Sequence, residues 1–180
     1  HEDPRRQRQM CIRDSGIKGK LAAIKYAREN KIPFLGICLG MQLSVIEYAK
    51  NKLKLQNPYS SEFTQEAAED DAQIVGLLTE WQKDTKTESR SKNSDLGGTM
   101  RLGEYPAIIY KDSKAYQIYN RTEISERHRH RYEVNIKYKQ QFEKSGMIFS
   151  AISPDGKLPE IVEIKNLSLI HISEPTRHRL

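Results

Sequence analysis

Cysteine is scarce. Only Cys11 and Cys38 occur in 180 residues, so a disulfide framework does not hold this chain together and a reducing, cytoplasmic setting is expected. Long apolar runs are missing too. None approaches the roughly 20 residues needed to span a bilayer, so no membrane partner is expected. The N-terminal stretch lacks the pattern of a secretory leader. Neither sign of charge dominates. Lys and Arg number 30 against 24 Asp and Glu, a net charge of +6. The basic residues are spread among acids, so the balance gives little support for phosphate binding, and no nucleic-acid partner is expected. The hydrophobic fraction of 37% and charged fraction of 30% fit one soluble globular domain with a proper core.

The chain is organised around one stretch, Lys31-Ile32-Pro33-Phe34-Leu35-Gly36-Ile37-Cys38-Leu39-Gly40-Met41-Gln42. It predicts a short buried strand, Pro33 to Ile37, that runs into Cys38, and then a helix through Leu43, Ile46, Tyr48 and Ala49. Gly36 and Gly40 flank Cys38 at two residues either side. Gly-x-Cys-x-Gly is the thiol version of a nucleophile elbow, a tight strand-to-helix turn that exposes the nucleophile. Side chains at both flanking positions are expected to clash in such a turn. Cys38 at a helix N-terminus would be favoured as thiolate, and the Leu39 N–H would point at a developing oxyanion. The plain alternative is a buried structural cysteine.

Upstream, Lys18 to Asn30 reads as an amphipathic helix with Leu21, Ala22, Ala23, Ile24, Tyr26 and Ala27 inward. Residues 1–15 show neither a helical nor a strand period. Arg-Gln-Arg-Gln-Met-Cys-Ile-Arg-Asp resembles translated sequencing-adapter sequence, and Leu169-Ile170-His171-Ile172-Ser173-Glu174-Pro175-Thr176-Arg177 has the same look. The expected organisation is therefore a non-native segment over 1–15, a partial domain over 16–166, and a second non-native segment over 167–180. A helix-strand-helix rhythm points to a parallel α/β sheet with its site at the carboxyl ends of the strands.

Further along, Pro58 and the serines mark a turn at 57–63, where Glu62 taken alone is an exposed loop carboxylate. Ile74 to Leu78 is an apolar island, followed by Trp81. Residues 83–93 read as a solvated loop. Gly97-Gly98-Thr99-Met100-Arg101-Leu102-Gly103 allows a glycine turn, and Tyr105 to Tyr110 a strand. Ser113 to Asn120 is short and either extended or helical. Ser125-Glu126-Arg127-His128-Arg129-His130-Arg131-Tyr132-Glu133-Val134-Asn135 is open to three readings from its residues alone. It could be a nucleic-acid patch, a solvated basic strand, or a strand with His128 and His130 on one face as metal ligands. No third ligand stands near at matching spacing, and no metal is expected. Lys137 to Ser145 suggests a helix with Phe142 inward. Two strands, 146–153 and 158–164, flank the turn Pro154-Asp155-Gly156-Lys157 as a hairpin.

Three of these blocks carry a resemblance. Pro33-Phe34-Leu35-Gly36-Ile37-Cys38-Leu39-Gly40-Met41-Gln42 resembles the nucleophile segment of class I glutamine amidotransferases. With Ile46-Glu47-Tyr48-Ala49, with 97–103 and with 127–135, the likeness is to the CTP synthase branch. It implies the α/β amidotransferase fold, a flavodoxin-like three-layer arrangement with a mostly parallel central sheet flanked by helices. It implies that Cys38 attacks the side-chain amide of L-glutamine, with Leu39, Gly40, Met41, Gln42, Glu62, Arg131 and Tyr132 in the glutamine site. Glu62 would pair with the α-ammonium, and backbone groups near Arg131 and Tyr132 would hold the α-carboxylate end. The ammonia would pass to a synthase domain of the same full-length chain, a homotetramer, for amination of UTP. No cofactor is expected here, since ATP and Mg2+ would belong to that synthase domain.

The likeness also marks gaps. The family's Pro-Gly-Gly-type loop, a second oxyanion donor, has no counterpart before Gly16. The family's base is a histidine in a His-Pro-Glu step that the glutamate orients. His171-Ile172-Ser173-Glu174 has the wrong spacing and is rejected as that base, so the chain is expected to be a poor glutaminase or none. Another class I amidotransferase, or a degenerate binding module, is the alternative.

Overall fold

The computed structural model describes residues 4–64, 67–77, 100–165 and 169–172; for 4–15 and 169–172 it describes the backbone. Trp81, the 83–93 loop and Gly97-Gly98-Thr99 lie outside the described residues. Helix α1 (Pro4–Glu29) leads to strand β1 (Phe34–Ile37) and helix α2 (Leu39–Asn51). Strands β2 (Tyr59–Ser60), β3 (Gln73–Leu77) and β4 (Arg101–Ile109) follow. Helix α3 (Lys114–Tyr119) precedes β5 (Glu123–His130) and β6 (Tyr132–Val134). A 3-10 turn (Ile136–Tyr138) enters helix α4 (Lys139–Ser145), and β7 (Met147–Ile152), β8 (Pro159–Ile164) and β9 (Leu169–Ile172) complete the order.

The main sheet runs β1-β9-β8-β7-β4-β5, and a small sheet runs β2-β3-β6. The expectation of a mostly parallel sheet is corrected. Among the described residues of the main sheet only β1 and β9 pair in parallel; β9 with β8, β8 with β7, β7 with β4, and β4 with β5 are antiparallel. A parallel pair needs a long crossover. The four-residue turn at 154–157, closed by Gly156 at φ 74°, is too short for one and forces a hairpin.

Helices lie on both faces of this sheet. On one side α2 and α4 pack Leu43, Ile46, Tyr48 and Phe142 onto Met147, Phe149, Val162 and Ile164. On the other, Ala115 of α3 packs with Ala107, Ile109, Ile124, Ala151 and Ile161. Phe142 is fully buried, as expected. A bulge between Phe149 and Ala151 lets these two residues, which regular alternation would put on one face, join the cores on opposite faces. Every residue of α2 from Met41 to Ala49 is buried. A helix this enclosed must satisfy its polar side chains internally. Glu47 does so by accepting from Arg28 Nε at 2.9 Å and Nη2 at 2.7 Å, and from Asn51 Nδ2 at 2.9 Å. That bidentate pair fastens α1 to α2.

Three local expectations change. The helix expected from Lys18 begins at Pro4. Residues 5–13 hold many Arg and Gln, good helix formers, and Pro fits a first helical position; a search for an apolar stripe misses such a segment. Within α1, Ile24 and Ala27 are buried, but Ala22, Ala23 and Tyr26 are exposed. Tyr26 falls about 200° round the helix from Ile24. The strand leading to Cys38 was expected to be buried, yet Leu35 is 58% and Ile37 39% exposed, because β1 is an edge strand among the described residues.

Candidate active site

Strand β1 ends and α2 begins with a single residue between them. That residue, Cys38, has φ 53° and ψ −110°. A Cβ-bearing residue adopts this conformation only when its surroundings over-determine it, at a cost of about 1–3 kcal/mol. Here β1 on one side and the fully packed α2 on the other fix the chain direction. The Cys38 carbonyl already accepts from the Gln42 N–H at 3.2 Å, the first bond of the helix. The elbow expected from the glycine spacing is therefore present, and the strain sits on the cysteine itself. One part of that expectation is corrected. A Cβ at Gly40 would meet nothing within 4 Å, so no clash requires glycine there.

Cys38 opens on a cleft of about 450 Å³ lined by Cys38, Leu39, Gln42, Glu62, Met100, Arg129, His130, Arg131 and Tyr132. Six of the eight residues singled out in the sequence meet there, from positions up to 94 apart in the chain. Gly40 and Met41 do not line it. Met41 is 3% exposed and belongs to the apolar core. Met100, Arg129 and His130 also line it; none is among the glutamine-site residues that the resemblance implies, though all three lie in the two blocks that carry it.

The small sheet delivers the far wall. Glu62 follows β2 and is held by a serine turn: its N–H donates to Ser60 Oγ at 3.2 Å, and the Phe63 N–H to the Ser60 carbonyl at 3.1 Å. Strand β6 carries Tyr132 and pairs antiparallel with β3. The 127–135 block was expected to be one strand. It is two, β5 in the main sheet and β6 in the small one, with Arg131 at the corner between them. The corner turns Arg131 and Tyr132 toward Cys38.

The Arg-His run alternates along β5. Arg127 and Arg129 are exposed while His128 and His130 are buried. The two histidines do share a face, but their nitrogens bond to protein. His128 Nδ1 lies 2.8 Å from His130 Nε2, His128 Nε2 is 3.3 Å from Glu160, and His130 Nδ1 is 3.2 Å from the Tyr132 carbonyl. Among the described residues no group of three or more His, Cys, Asp or Glu is arranged to hold a metal ion. No described helix is long and apolar enough to cross a membrane.

Arg101 closes this buried cluster. It donates to Glu160 at 2.8 Å and to Glu133 at 3.3 Å, and its guanidinium lies 4.5 Å from the Tyr105 ring centroid. Burial first, then the Arg101 charge, lower the histidines, His128 to about 3 and His130 to about 4. Burial raises Glu133 to about 8 despite the opposing pull of Arg101.

Two buried polar atoms on the cleft residues have no hydrogen bond. Gln42 donates through Nε2 to the Tyr132 carbonyl at 2.9 Å, but its Oε1 accepts from nothing, and Arg131 Nε donates to nothing. An orphan acceptor and an orphan donor beside a helix N-terminus suit a ligand that carries both an amide or ammonium and a carboxylate. Strand β9 runs beside β1 with His171 opposite Gly36 and Ile172 opposite Ile37. Ser173 and Glu174 lie outside the described residues.

The comparisons with known proteins place the chain in a family. The family described as "Glutamine amidotransferase class-I" matches residues 9–171. The CTP synthase of Zymomonas mobilis is 55% identical over 150 residues, covering 83% of this chain and 27% of that protein. The CTP synthase of Pelagibacter ubique is 57% identical over 151 residues, covering 84% and 27%. The chain thus spans about a quarter of the length of the curated relatives it matches. Among solved structures, the glutaminase domain of Trypanosoma brucei CTPS with bound acivicin superposes with a TM-score of 0.72 at 32% identity, covering 88% of this chain and 58% of that one. With a family model matched over residues 9–171, the chain belongs to the class I glutamine amidotransferase family.

Proposed function

We propose that this chain is the glutamine-hydrolysing part of a CTP synthase. Cys38 attacks the side-chain amide of L-glutamine and a tetrahedral oxyanion forms against the Leu39 N–H; its collapse breaks the C–N bond, ammonia leaves with the thiol's proton, and water hydrolyses the thioester left on Cys38 to glutamate. The observation that carries this reading is the strained Cys38 at the mouth of a cleft whose far wall is Glu62, Arg131 and Tyr132. Glu62 takes the α-ammonium. The Arg131-Tyr132 backbone, with the unspent Arg131 Nε, holds the α-carboxylate. The Gln42 carboxamide, pinned by its bond to Tyr132, offers Oε1 to the substrate. The Gly40 and Met41 N–H groups belong to the first turn of α2, which gives them a backbone part in the site even though their side chains do not line it.

The ammonia serves an ATP- and Mg2+-dependent amination of UTP to CTP in a synthase domain of the same full-length, cytoplasmic, homotetrameric protein. The chain with residues 1–15 and 167–180 as they stand has no histidine at the family's spacing to act as base, so we expect binding without efficient turnover.

Calorimetric titration with L-glutamine tests the reading. Binding is expected in the wild-type chain and in Cys38→Ala, and a loss of at least tenfold, about 1.4 kcal/mol, in Glu62→Ala. Absence of binding at millimolar glutamine would overturn it. Ammonia release above background that vanishes in Cys38→Ala would overturn the expectation of poor turnover alone.

A further inference from the structure

The glutamine site rests on the Tyr132 carbonyl, which Gln42 Nε2 reaches from α2 at 2.9 Å. His130 approaches the same oxygen from the other side, Nδ1 at 3.2 Å. Neither contact has a long lever: His130 is 9% exposed, lies at the end of β5, and its ring orientation decides whether Nδ1 meets that carbonyl. The ring is held at both nitrogens: the Glu133 carboxylate lies 3.4 Å from Nδ1, and His128, fully buried, brings its Nδ1 to 2.8 Å from Nε2. His128 is itself wedged between Glu160 at 3.3 Å and the edge of Tyr105, ring centroids 5.4 Å apart. Arg101 then locks Glu160 of β8 to Glu133 of β6, joining the main sheet to the small one behind the cleft.

We propose that His128 is a positioning residue for the glutamine site. Without lining the cleft, it fixes the His130 ring so that His130 and Gln42 together clamp the Tyr132 carbonyl and hold the Arg131 corner. This rests on the reading of the cleft as a glutamine site. Both rings are neutral near pH 7, burial being the main cause, so each offers one donor and one acceptor, as a ring-to-ring bond requires.

The two nitrogens of His128 do different jobs, and the two carboxamide residues separate them. Asn places its amide near the Nδ1 position and keeps the contact with His130. Gln places its amide near the Nε2 position and keeps the contact with Glu160. The Tyr132 carbonyl only accepts, so His130 donates from Nδ1 and His128 donates from Nδ1 to His130 Nε2; an Asn amide can donate in its place.

The test uses the whole chain with two readouts: the Gln42 side-chain amide signals in a nitrogen-proton NMR spectrum, and the Kd for L-glutamine. In His128→Asn both are expected to stay near wild type. In His128→Gln the Gln42 amide signals are expected to shift toward those of an exposed amide, and Kd to rise about tenfold, the loss of one well-placed hydrogen bond. Melting temperature is expected in the opposite order, with His128→Gln the more stable because it keeps the buried contact to Glu160. A purely structural role would rank binding and melting the same way, and that result would overturn the proposal, as would Gln42 signals unmoved in His128→Gln. If the wild-type chain fails to bind L-glutamine, the reading of the cleft falls, while the Gln42 signals still decide whether His128 positions that side chain.

Discussion

Replacing Cys38 by glycine is expected to make the protein more stable while destroying its chemistry. The residue sits at φ 53° and ψ −110°, where a Cβ costs about 1–3 kcal/mol and glycine costs almost nothing sterically. Against that gain, glycine loses about 0.5–1 kcal/mol of extra chain entropy on folding. The difference is a net stabilisation of up to about 2.5 kcal/mol. The proper reference is Cys38→Ala, which also removes the sulfur but keeps the Cβ and so keeps the strain. Urea unfolding of the two variants, with equal slopes, reads the difference directly as a shift in midpoint. Cys38→Gly should unfold later than Cys38→Ala, and both should lack thiol alkylation at this position. If the glycine variant is no more stable than the alanine variant, the elbow stores no strain, and the claim that α2 and β1 force this conformation on the cysteine is wrong.

Two further predictions concern the buried cluster behind the cleft. Arg101→Met removes the cation between Glu133 and Glu160, which are 3% and 1% exposed, and should cost about 3–5 kcal/mol at pH 7. A small loss in urea unfolding would refute the role given to Arg101. The cluster should also shape the pH profile of stability. The histidines are lowered from 6.5 to about 3 and about 4, so the unfolded chain binds protons first and stability falls as pH drops below 6.5, by roughly 3 kcal/mol for His130 by pH 4. Glu133 is raised from 4.5 to about 8, so its contribution has the other sign: stability falls as pH rises from 4.5 through 8. Glu133→Gln should flatten the loss between pH 6.5 and 8 and leave the acid limb in place, which thermal unfolding across pH would check.

Much of the local structure could be read from the chain itself. The strand before Cys38 and the helix after it, the Phe142 helix, and the hairpin about Gly156 all follow from short-range signals: apolar period, glycine position, a Pro-Asp-Gly turn. Errors arose where the answer depends on neighbours. Leu35 and Ile37 look like core residues by type, but β1 is an edge strand among the described residues. Pro4 to Ser15 carry no stripe to mark a helix, yet the backbone is helical through α1. A single Arg-His run proved to be two strands, since nothing in its composition marks the corner at Arg131.

The sequence by itself determined the chemistry available: one cysteine between two glycines at a strand-to-helix step, and the residue types that accompany it in an amidotransferase. These are local facts, carried by backbone preference and side-chain type. Only the tertiary structure decided what those residues do together. It moved Met41 into the core, left room beside Gly40, turned His128 and His130 inward, and brought Arg101, Glu133 and Glu160 into one buried cluster. The physical reason is that burial and pairing are set by which surfaces meet across the sheets, and a residue's neighbours in space are not its neighbours in the chain.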